Sequence, residues 1–438
     1  MLSGQFLLEF TAGLVVAGLL FLIVARHERL TLYILLGTTL LAGQRDIDLR
    51  PTAQFGSVSV YVTDILLVAF FGISAMRWRQ RRLSQLETIA LISLTGLVLL
   101  AVVTWTLSDG LETGVMRSRY WLLFTSLICW VMTAPRLWKA SDLSGVVAAA
   151  WGACALFVYG LARGGLGSNA GQVLVDGQFV SARPINSTAA LMVLTGLWVV
   201  VLVSRGHWVL RFASATTFAA VVVLSQHRSV WVAAAASGFI VVIVLARRKA
   251  GWAWDRLTLY GFAAGLSVIA ISSVLRASSV LSQSAQDGRT WAWRVEGWGE
   301  RLATKSGVAD WLVGGSLGTS ESTRLDAFAT SAHSMYIEPL VSIGVLGAGL
   351  MWIVVGSLVI RASPNFRFVA VVFTALLAFG VAYQWPMAVV AVLVVAAAVA
   401  FDRDTRRPLA GHEHLKSNEQ LSPTVTDPRS DVRSGAIQ

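Results

Sequence analysis

The residues best suited to chemistry are an imidazole, His333, and three guanidiniums, Arg228, Arg289 and Arg294. His333 lies in SAHSMYIEPLVSIGVLGAGL (331–350), a run that begins polar and becomes an apolar helix. A group that titrates near neutrality where water gives way to lipid can accept a proton from a substrate hydroxyl. A helix cap or interfacial histidine would occupy the same place. Arg228 sits in SQHRSVW (225–231), between two closely spaced apolar runs, where a charge is costly unless paired or functional. An arginine snorkelling to the interface is the structural alternative. Arg289 and Arg294 belong to DGRTWAWRVEGWGERLATKSGVADWLVGGSLGTS (287–320). Several guanidiniums on one face are what a diphosphate requires, because each fork can grip phosphate oxygens in a bidentate way.

The groups around them leave choices open. Trp291, Trp293 and Trp298, with Arg294 and Arg301, predict a partly amphipathic helix on a membrane surface, or an ordinary aromatic belt. The cluster Gly314, Gly315 and Gly318 would let backbone approach a ligand. Asp287, Glu296, Asp310 and Glu338 are competing bases; Glu338 can instead orient the imidazole or pair with an arginine. Asp64, inside an apolar run, is a candidate buried partner for an arginine, and His227 is expected at the interface. Cys129 and Cys154 lie in apolar stretches with no metal-type spacing, so they read as core residues, with no metal, cofactor or disulfide.

The elements that must position these groups are membrane helices. The 438 residues are 55% hydrophobic and 13% charged, about half the charge fraction of an ordinary soluble chain. Candidate spans run at about 5–25, 30–43, 58–76, 86–106, 119–135, 143–162, 186–203, 212–226, 229–246, 257–275, 335–360, 368–384 and 386–401. Residues 383–386 (YQWP) divide the last apolar run into two. The first run lacks a basic leader segment and reads as a retained helix.

The net charge of +11 is distributed in short loops and follows the positive-inside rule, so nucleic acid is excluded as a partner. Loops after odd-numbered spans carry the arginines and lysines. They are assigned to the cytoplasm, with the N-terminus outside and the C-terminus inside. Arg228, Arg289, Arg294 and His333 then share the outer face. The organisation is a bundle over 1–275, a large extracytoplasmic loop over 276–334, further spans over 335–401 and a disordered cytoplasmic tail over 402–438.

Taken together, these motifs resemble the O-antigen ligase and polymerase superfamily of membrane glycosyltransferases, over roughly 10–400. His333–Ser334, nine residues, then Gly344-Val345-Leu346-Gly347 is similar to the family's His-[Asn/Ser/Gln]-x9-Gly-x-x-Gly signature. Arg228 with Val232 resembles its Arg-x3-Leu element, and Arg289 with Trp293 and the Gly314–Gly318 turn resemble its outer loop. Ala348–Gly349 stand where Thr-Trp or similar is usual, a departure from the ligases proper.

The resemblance implies an all-α, GT-C-like polytopic fold of about 12–13 transmembrane helices, with amphipathic helices in the outer loop. It places the chain in a bacterial cytoplasmic membrane, in polysaccharide biosynthesis of the cell envelope. It implies metal-independent inverting transfer from a polyprenyl-diphosphate-linked glycan to a hydroxyl of a glycan or lipid acceptor. Arg228 and Arg289 would hold the diphosphate, with Arg294 as a third; His333 would deprotonate or orient the acceptor. Glu338, Gly315 and Gly318 would support them. The alternative is a transporter or flippase of lipid-linked or anionic substrates. A further relative in chemistry, the shape, elongation, division and sporulation class of peptidoglycan polymerase, relies on a carboxylate in its outer loop.

Overall fold

The computed structural model describes residues 18–41, 53–55, 58–60, 62–78, 83–134, 138–164, 172–175, 178–181, 183–204, 207–246, 289–303, 305–315 and 334–405, with isolated positions 15, 261, 265 and 268. His333, Gly318, most of the tenth predicted span and the predicted tail beyond Thr405 lie outside the described residues.

A helical stretch over 18–26 leads into α1 (Glu28–Leu41), a hairpin of β1 (Ala53–Phe55) and β2 (Val58–Val60), and α2 (Val62–Arg77). Then come α3 (Gln85–Asp109), α4 (Leu111–Thr133) and α5 (Ser144–Gly164). A second hairpin, β3 (Gln172–Val175) and β4 (Gln178–Ser181), precedes α6 (Ser187–Leu202), α7 (Trp208–Leu224) and α8 (Arg228–Ala246). The C-terminal part holds α9 (Arg289–Ala303), α10 (Val308–Val313), α11 (Ile337–Ser342), α12 (Gly344–Ala362), α13 (Phe368–Gly380) and α14 (Met387–Thr405).

The architecture is helical. Among the described residues, four helices are long and apolar enough to cross a membrane: Gln85–Leu107, Ala140–Arg163, Arg228–Ala246 and Gly344–Ala362. The two antiparallel hairpins, with Phe55 opposite Val58 and Val175 opposite Gln178, add strands that the helical reading lacked.

The centre of the bundle is α14. Every residue from Met387 to Ala400 is buried, so the helix has no polar side to present. Its alanine and valine side chains let α1, α4 and α12 approach it. Around it, α3 packs on α4, α5 on α6, and α13 on α8. A capping box starts α3: the Glu87 N–H donates to Ser84 Oγ at 3.3 Å and the Ser84 N–H donates to Glu87 Oε2 at 3.0 Å.

Ion pairs tie helix ends together. Arg119 meets Asp64 at 2.7 Å, which is the arginine partner expected for that carboxylate. Arg361 meets Glu87 at 2.7 Å, Arg77 meets Glu28 at 3.5 Å, and Arg29 meets Asp142.

The span predicted over 335–360 is broken, and the break positions the outer-loop helices. Gly344 adopts φ +66°, a left-handed conformation that interrupts the helix and costs little only in glycine. A Cβ on Gly344 would stand 2.3 Å from the Leu312 carbonyl oxygen and 2.4 Å from the Gly314 nitrogen. One on Gly314, itself at φ +83°, would stand 2.3 Å from the Ser342 carbonyl oxygen. Two glycines therefore let the end of α10 cross the α11–α12 break backbone to backbone. Lys305, buried, staples this junction by donating to the carbonyls of Gly315 at 3.2 Å and Val341 at 2.9 Å. Gly315 thus takes part in this junction through its carbonyl.

Candidate functional site

Three arginines far apart in sequence meet at one cavity of about 400 Å³. Arg183, Arg228 and Arg294 line it, with Ser229, Trp291 and Tyr383; Val232, Ala378, Val381 and Ala382 form its apolar side. None of these described lining residues is acidic. The site offers an anion three delocalised charges, and offers a hydrocarbon chain an adjoining wall of small apolar side chains.

Each guanidinium arrives on a different element. Arg228 is the first residue of α8, whose N-terminal N–H groups and dipole add positive potential at the same end. The turn before it is tight: Gln226, buried, holds φ +61°, a conformation uncommon outside glycine. Arg294 comes from α9, where Trp291 and Trp298 stack edge to face at 5.4 Å. Its guanidinium lies 4.5 Å over the Tyr383 ring. Tyr383 belongs to the segment between α13 and α14, and its hydroxyl also takes hydrogen bonds from Arg294 and Ser187.

Arg183 enters from the segment before α6. Its guanidinium is pushed down from the ordinary arginine value by burial, and by Arg228 and Arg294 as like charges, with Tyr383 opposing. Neither Arg183 nor Tyr383 was expected at the site. Both lie in short connecting segments that hydropathy treats as punctuation between helices.

The predicted residues divide as follows. Arg228 and Arg294 come together in the cavity. Arg289 opens α9, five residues before Arg294. His333 lies outside the described residues, but Ser334 after it is buried and anchored. The Met335 N–H donates to the Gly380 carbonyl at 2.8 Å, with Ser334 Oγ 3.5 Å from the same oxygen. Gly380 falls between Ala378 and Val381, both of which line the cavity. Gly380 cannot carry a side chain here, because a Cβ would meet Trp385 Nε1 at 2.6 Å and Met335 Cβ at 3.0 Å.

Glu338 meets an arginine, one of the roles open to it. It is buried, 3.9 Å from Arg301, and accepts from Ser342 Oγ at 3.0 Å. His227, expected at the interface, is buried within the protein. It follows the Gln226 turn, and its Nδ1 meets Arg183 at 2.9 Å. Among the described residues no cluster of histidine, cysteine, aspartate and glutamate is arranged to hold a metal ion.

No protein-family model matches the sequence, and no curated protein matches it.

Proposed function

We propose that the chain is a membrane glycosyltransferase of the O-antigen ligase or polymerase type. It moves a glycan from a polyprenyl-diphosphate donor to an acceptor hydroxyl on the outer face of the cytoplasmic membrane. The observation that carries this reading is the convergence of Arg183, Arg228 and Arg294 on a cavity with one apolar side. A donor of this class has a doubly phosphorylated head and a long hydrocarbon tail, and the cavity matches both.

A polyprenyl diphosphate is already a good leaving group, so the protein's task is electrostatic. As the bond from the anomeric carbon to the diphosphate oxygen breaks, negative charge grows on that oxygen. Arg228 and Arg294, with Arg289, stabilise it without needing to donate a proton. His333 accepts the acceptor's proton, or orients its hydroxyl, as the new glycosidic bond forms. The Ser334–Gly380 anchorage supports this role, because it ties the residue after His333 to the segment carrying the cavity wall.

The test supplies purified protein with a radiolabelled polyprenyl-diphosphate oligosaccharide and candidate acceptors. His333→Ala is expected to lower transfer by about 10²–10⁴-fold, with membrane insertion unchanged. Transfer by His333→Ala near the wild-type rate would overturn the mechanism. Movement of the intact lipid-linked donor across a vesicle bilayer, with no donor consumed, would favour a carrier.

A further inference from the structure

Arg183 has no place in the sequence motifs, yet it lines the cavity and meets His227. Its approach is built by the neighbouring helix: a Cβ on Gly160 of α5 would stand 2.2 Å from the Pro184 carbonyl oxygen, so glycine admits the segment. Asn186 then caps α6, accepting from the Ala189 N–H at 2.7 Å.

The contact between Arg183 and His227 has a defined polarity. His227 Nε2 lies 2.8 Å from the Ile185 carbonyl oxygen. A carbonyl only accepts, so Nε2 carries the ring proton. In the neutral ring, Nδ1 is then an acceptor, and Arg183 donates to it at 2.9 Å. Burial, and next the Arg183 charge, hold the imidazole in that neutral form, with its pKa down to about 3. A neutral acceptor orients a guanidinium without cancelling its charge. The left-handed Gln226 turn lets two consecutive residues divide the work, with His227 holding Arg183 and Arg228 facing the cavity.

We propose that Arg183 is a further phosphate-binding residue of this cavity, selecting diphosphate over monophosphate head groups, and that His227 is its positioning residue. The proposal rests on the lipid-diphosphate reading above. A monophosphate can be satisfied by two guanidiniums; the second phosphate of a diphosphate gives the third a partner.

The experiment measures binding of farnesyl diphosphate and farnesyl monophosphate to the purified full chain in lipid nanodiscs. Wild type is expected to prefer the diphosphate. Arg183→Ala should weaken diphosphate binding by about tenfold or more and monophosphate binding by about twofold, narrowing the preference. His227→Leu should narrow it in the same direction, whereas His227→Gln, which keeps an acceptor and a donor, should restore it. A rescue of discrimination by glutamine separates positioning from general destabilisation, and thermal melts check that each variant folds.

If Arg183→Ala keeps the wild-type preference while Arg228→Ala loses binding, the assignment of Arg183 is wrong and the donor reading stands. If wild type binds neither compound, the donor reading falls and this inference falls with it.

Discussion

At the scale of single residues, the site's chemistry depends on which groups are neutral. His227 immediately precedes Arg228 of the Arg-x3-Leu-like element, and its ring is buried between Arg183 and the Ile185 carbonyl. Its pKa is lowered in the folded state, to about 3 from the ordinary value near 6.5. Its contribution to stability is therefore complete above pH ~6.5 and is lost as pH falls from there toward ~3. At pH 5 the loss is about 2 kcal/mol, since the unfolded imidazole binds a proton that the folded one rejects. Thermal unfolding at pH 7.5 and pH 5 measures this. His227→Gln should lose clearly less stability over that interval than wild type. An equal loss in both would place the acid sensitivity elsewhere.

At the scale of elements, the decisive feature is the α11–α12 break. A continuous helix over 335–360 is what hydropathy predicts, because GVLGAGL carries no polar interruption. Gly344 breaks it, since its left-handed backbone and the pressure of the Leu312 carbonyl leave no room for a side chain. This gives a physical role to the first glycine of the Gly-x-x-Gly pattern: it is the notch that receives α10. Gly344→Ala is expected to destabilise the protein by about 2–4 kcal/mol and to expose the 289–315 segment to limited proteolysis. Gly349→Ala, where nothing lies within 4 Å of an added Cβ, serves as the contrast. It should be neutral or stabilise by up to about 1 kcal/mol. Equal protease resistance in wild type and Gly344→Ala would show that the crossing does not hold the outer helices.

At the scale of the whole molecule, the charges of the sequence and the contacts of the fold divide the chain in the same way. Glu28–Arg77, Arg29–Asp142 and Glu87–Arg361 each join segments that charge parity assigns to the cytoplasm. Asp64–Arg119, Arg183–His227, Arg294–Tyr383 and Met335–Gly380 each join segments assigned to the opposite side. Which side faces outward is a matter for labelling. Both native cysteines are buried, so a single introduced thiol reports its own position. In intact cells, Ser306→Cys should react with a membrane-impermeant maleimide, and His207→Cys should react only after permeabilisation. The reverse pattern would invert the topology and remove the outer-face site.

What the sequence by itself determined is the membrane-type helical pattern and the position of most of its helices; it also singled out Arg228 and Arg294, which line one cavity. These follow from hydropathy, loop charge and local spacing, all readable along one dimension. It also carried signals that helix periodicity passes over: Gly56–Ser57 and Asp176–Gly177 separate the paired strands by two turn-forming residues, as hairpins require. Only the tertiary structure decided that Arg183 and Tyr383 belong with Arg228 and Arg294, that His227 is buried, and that Glu338 pairs with Arg301. The reason is geometric. Those partners are brought together by helices packing around α14, and no local pattern records where separate helices end relative to one another.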